Sequence, residues 1–83
     1  MHELGITQDL VDLVAERTAG RRVVAVNVRV GDAAGIVPEA MAFAFDVTTY
    51  QTPLEGARLV IEEVAGDDLS LVSVELLKEP SCA

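Results

Sequence analysis

The stretch from Arg22 to Val30 constrains this chain more than any other. Val24, Val26, Val28 and Val30 face one way, and Arg22, Val23, Ala25, Asn27 and Arg29 mostly the other. β-Branched side chains lose rotamer freedom in a helix and pack well on a pleated surface, so period-two valines predict a strand. A strand needs a paired neighbour and something to cover its apolar face, and the remaining residues have to supply both.

They do so in a definite order. Ahead of the strand, Ile6, Leu10, Leu13, Val14 and Arg17 recur at helical spacing with Asp9, Asp12 and Glu16 opposite, predicting an amphipathic helix from about Leu4 to Ala19. Gly20 is placed to stop it in a left-handed cap. After the strand, Gly31-Asp32-Ala33-Ala34-Gly35 reads as a loop without the spacing of a phosphate-binding motif. Pro38-Glu39 opens a second helix running to about Thr49, with proline and an acid both suited to a first turn.

That second helix leaves only Glu39, Asp46 and Thr49 as a polar stripe. Phe43 and Phe45 are expected in the core; the alternative is that part of this apolar surface meets a partner or a second copy. Ala57 to Ala65 predicts another strand, with Leu59 and Ile61 facing the core. Leu69 to Leu77 predicts a third, with Leu69, Leu71, Ser73 and Glu75 on one side and Ser70, Val72, Val74 and Leu76 on the other. The short Gly66-Asp67-Asp68 turn between them predicts an antiparallel hairpin. The expected fold is therefore α/β (α+β): one domain over residues 1–83, αβαββ in order, two helices on a three-stranded sheet. The strand–helix–strand unit is expected to cross over right-handed.

Charge narrows the function classes. With 14 acidic against 6 basic residues, the net charge of −8 disfavours nucleic acid and anionic membrane. No apolar run is long enough to span a bilayer, and no basic segment followed by an apolar stretch marks a secretory signal. The single cysteine, Cys82, makes no internal disulfide, and a cytoplasmic location follows as the simple expectation. There is no Cys/His or Ser/His pair of the kind nucleophilic catalysis uses, so an enzyme is not expected.

The candidate chemistry lies at the start, in Met1-His2-Glu3-Leu4. The Met1 amine, the His2 backbone nitrogen and the His2 ring could hold a metal ion from adjacent atoms. Such a nitrogen-rich, flattened set suits Ni(II) or Cu(II) rather than Mg(II) or Ca(II). Glu3 would add an oxygen ligand or offset charge, which matters because a helix N-terminus is partly positive and disfavours a cation. A solvated terminus with no metal is the competing reading of the same residues.

Taken together, Met-His-Glu-Leu, the Gly31–Gly35 loop, Val37-Pro38-Glu39-Ala40, Phe43-Ala44-Phe45 and Glu55-Gly56-Ala57 leading into Ile61-Glu62-Glu63 resemble, in order and spacing, the HypA family. These are nickel-insertion accessory proteins of [NiFe]-hydrogenase maturation. The resemblance implies an αβαββ nickel domain whose ligands carry over onto Met1, His2 and Glu3. It also implies nickel as transient cargo, and two partners, the maturation GTPase HypB and the hydrogenase large-subunit precursor; a homodimer is possible through exposed strand edges.

Two departures accompany the likeness. Family members carry a zinc domain with two CxxC motifs between the last two strands, where this chain has Val64-Ala65-Gly66-Asp67-Asp68, so zinc is not expected. Gly5 stands where serine is common in the family. The function implied is a nickel metallochaperone that binds Ni(II) at its N-terminus for delivery. The alternative is a zinc-domain-less interaction or regulatory module that no longer delivers metal.

Overall fold

The computed structural model describes residues 2–78. Its elements are α1 (His2–Thr18), β1 (Val23–Gly31), α2 (Pro38–Thr49), β2 (Arg58–Val64) and β3 (Leu69–Leu76), the expected αβαββ order. Both helices pack on one face of the sheet. Leu10, Val11 and Val14 of α1 and Met41 and Phe45 of α2 meet Val23, Val26, Val28 and Val30 of β1 in one cluster.

The buried stripe of α1 is Glu3, Thr7, Leu10, Val11, Val14 and Thr18, with Ile6 half-buried and Leu13 exposed. Three polar residues, Glu3, Thr7 and Thr18, thus lie on the buried stripe, while Ile6 and Leu13, which apolar periodicity assigned to it, lie at or outside its edge. Thr18 satisfies its hydroxyl by donating to the Val14 carbonyl at 2.8 Å. The Thr7 hydroxyl is buried with no hydrogen-bond partner among the described residues. The helix stops where Ala19 and then Gly20 turn to positive φ, 52° and 81°. Ala19 carries a Cβ in that left-handed region, so the stop is made by two residues rather than by Gly20 alone. In α2, Phe45 is buried but Phe43 is not, being 71% exposed, and Thr49 lies buried with its hydroxyl donating to the Phe45 carbonyl.

The sheet order is β2-β1-β3. β1 pairs parallel with β2, as a strand–helix–strand unit requires, and antiparallel with β3. The expected β2–β3 hairpin is therefore overturned: the two strands flank β1. A hairpin would have left the valine-rich strand at an edge with open backbone groups, whereas this order places β1 centrally and gives the edges to the charged and serine-bearing strands. The link at 65–68 arches over the end of β1 rather than turning back on itself. Gly31 N–H donates to the Asp68 carbonyl at 2.7 Å, Asp32 N–H to Val64 at 2.8 Å and Ala33 N–H to Gly66 at 2.7 Å. The Gly66 N–H in turn donates to Asp32 Oδ1 at 3.2 Å.

Two bulges change which side chains face the helices. Between Val23 and Ala25, β1 holds one residue more than β3, so Val23 and Val26 both reach the core while Val24 is only half-buried. Between Leu71 and Ser73 the extra residue is on β3, at Val72. The core face of β3 therefore reads Leu69, Leu71, Val74, Leu76 instead of strict alternation. A bulge adds one residue and inverts the parity of everything beyond it.

Candidate metal centre

The first turn of α1 carries the candidate ligands. Met1 and the His2 side chain lie outside the described residues; the backbone of His2 opens the helix, and Glu3 follows as its acidic first-turn residue. Because the first four N–H groups of a helix have no intrahelical acceptor, the His2 amide is not committed to the α1 ladder.

Glu3 is the member tied into the fold. Its side chain is buried, and the Val37 N–H donates to its Oε2 at 3.0 Å across 34 residues of sequence. Val37 stands just ahead of α2 and caps it without a side-chain hydrogen bond; its carbonyl accepts the first bond of that helix from Met41 N–H at 3.0 Å. One carboxylate thus sits at the N-termini of both helices, where partial positive charge from each macrodipole converges. The Val37 hydrogen bond first, and the backbone amide of Glu3 itself, hold its carboxyl down at about 2 against burial, which pushes the other way.

A stability prediction follows, with its sign set by that depression. A carboxylate whose folded-state pKa lies below its ordinary 4.5 stabilises the fold above about pH 4.5 and ceases to do so as pH falls toward 2. The difference in unfolding free energy between the protein and Glu3→Gln is expected to be largest near neutrality and to shrink over that acid window. A difference that stays constant down to pH 2 would show that the carboxylate charge is not what ties the helix ends together.

Among the described residues, no three His, Cys, Asp or Glu side chains converge on a metal-sized site. Nor is any described helix long and apolar enough to cross a membrane. Sequence reading named Glu3 but not its burial or its tie to Val37, and it overlooked Thr7, one turn further along the same stripe. The only cue to either was their four-residue spacing ahead of Leu10 and Val11.

Comparison with known proteins gives the family and the fold. The family model described as "Hydrogenase/urease nickel incorporation, metallochaperone, hypA" matches residues 1–68. The hydrogenase maturation factor HypA of Geobacter metallireducens is 52% identical over 66 residues, covering 80% of this chain and 60% of that protein. HypA of Geotalea uraniireducens is 48% identical over 64 residues, covering 77% and 58%. The chain therefore spans about 60% of the length of these relatives. The solution structure of the Ni metallochaperone HypA from Helicobacter pylori superposes with a TM-score of 0.75 over 93% of this chain and 98% of that one. At 15% identity, that likeness shows a shared fold. On the extent of the family match and the identity of its relatives, the chain belongs to the HypA family.

Proposed function

We propose that this domain carries Ni(II) at its N-terminus and passes it on during [NiFe]-hydrogenase maturation, acting by capture and release rather than catalysis. The observation that carries the reading is the position of Glu3. By taking the Val37 N–H, it fixes the first turn of α1, from which the candidate ligands extend, against the start of α2. Met1 and His2 supply the amine, amide and imidazole nitrogens, and the uncommitted first-turn amide lets the His2 nitrogen serve without breaking a helix bond. Glu3 acts chiefly as the charge that offsets two helix N-termini beside a cation. Ligands at a chain end leave open positions from which a recipient takes the ion.

The recipients in this reading are the GTPase HypB and the hydrogenase large-subunit precursor, met in the cytoplasm. Zinc has no part in it: the crossover at 65–68 carries no cysteine, and the chain holds one in all. Because Ni(II) displaces protons from an amine with an ordinary pKa of about 7.7–8.0 and an imidazole near 6.5, affinity is expected to rise with pH between about 6 and 8. Nickel titrations across that range test the ligand set; a flat profile contradicts amine and imidazole ligation.

A further inference from the structure

The outer side of the helix pair carries an apolar stripe that the fold leaves open. Ala40, Phe43 and Val47 recur along α2 at three- and four-residue spacing, and Leu4 of α1 lines the same groove beside them, with Glu3 at its edge. Phe43, Val47 and Leu4 are all more than half exposed, as is Tyr50 just past the helix end. An aromatic ring left this open beside other apolar side chains marks a contact surface more often than a scattered surface residue does.

Charge identifies what would cover it. The six Lys and Arg side chains of the chain are Arg17, Arg21, Arg22, Arg29, Arg58 and Lys78, so none falls in residues 1–16 or 30–57, which supply the whole stripe. Glu39 and Asp46 are exposed on α2, four residues before Phe43 and three after it, which places a carboxylate on the adjacent turn to either side of the ring. A second copy offering the same face would set these carboxylates against their own kind.

We infer that this face docks a protein partner whose own contact surface is a set of apolar side chains ringed by Lys and Arg. Apolar contact at Phe43 and Val47 provides the affinity, and the acidic rim selects the sign of the partner and speeds encounter. That docking sits beside the cargo rests on the nickel reading, because Glu3 borders both; the docking itself does not.

The test uses two labelled amphipathic helical peptides with the same Leu/Phe face, one flanked by Lys and one by Glu, read by fluorescence anisotropy with the metal-free protein. The Lys-flanked peptide is expected to bind at least about tenfold more tightly than its Glu-flanked counterpart. Phe43→Ser with Val47→Ser is expected to weaken it about tenfold, and Glu39→Lys with Asp46→Lys by a similar factor. Val60→Ser, which removes an exposed valine on β2, is expected to leave binding unchanged. Absence of binding, equal binding of both peptides, equal loss with Val60→Ser, or sedimentation showing a dimer that Phe43→Ser dissolves would each overturn the proposal. Nickel titration of the same variants keeps the two readings apart, since both surface pairs are expected to bind nickel as the unmodified chain does.

Discussion

Gly31→Ala is expected to destabilise the domain by about 3 kcal/mol or more, at or beyond the usual upper range for forcing an extra carbon into a packed site. A Cβ at this position would run into the Gly66 carbonyl group and lie 2.7 Å from the Asp67 nitrogen. All of these are backbone atoms, so no side chain can swing aside. The crossover would have to lift, and it is held down by the two hydrogen bonds that the Gly31 and Ala33 amides donate to Asp68 and Gly66. Domains of this size have about 5–15 kcal/mol in total, so the variant should unfold at markedly lower denaturant concentration. Gly35→Ala is the contrasting control: nothing lies within 4 Å of its Cβ position, and its cost is only that of a positive φ of 75°. A Gly31→Ala midpoint within error of the unmodified protein would mean that the crossover does not pack on β1 in solution.

The two phenylalanines of α2 give the second large effect. Phe45 is 1% exposed and lies in the central cluster with Met41, Val26 and Val28; truncation to alanine is expected to cost about 3–5 kcal/mol, a large share of the total, and to lower the denaturant midpoint sharply. Phe43→Ala removes a ring that faces solvent and is expected to change stability by less than about 0.5 kcal/mol. Urea unfolding of the two variants measures both. Equal costs would place Phe43 in the core and remove the open face on which docking depends.

These residues also mark where sequence was a sufficient guide. Helical periodicity gave α2 its bounds and α1 to within two residues, because each helix is specified by neighbours three and four apart. It could not separate Phe43 from Phe45. In a helix apolar nearly all round, the buried side is chosen by what lies beneath, here β1. The strands were legible one at a time, but not their order. Gly66-Asp67-Asp68 reads locally as a turn, and only the contrast between valine-rich β1 and the charged β2 and β3 says which strand belongs in the middle. The bulges at Val24 and Val72 escaped for a related reason: each exists only relative to a partner strand, and each inverts an alternation that looks regular on its own.

The candidate site divides in the same way. Met1, His2 and Glu3 announce nitrogen and oxygen ligands by residue type and proximity. That Glu3 is buried and spoken for by Val37 is a contact across 34 positions, which no local pattern encodes. The chemistry of the first residues was thus readable, while the tie of Glu3 to the start of α2 became apparent only in the fold.

The most direct test of nickel capture at the chain start is a calorimetric Ni(II) titration of untagged protein beside two variants. One is His2→Ala; the other places a short Gly-Ser extension before Met1, moving the amine away while every side chain stays. The expected result is one tightly bound Ni(II) for the unmodified chain and loss of that binding in both variants, with unfolding curves unchanged. If all three chains bind alike, or none binds above background, the N-terminus is not a nickel site and the domain serves through its surfaces alone.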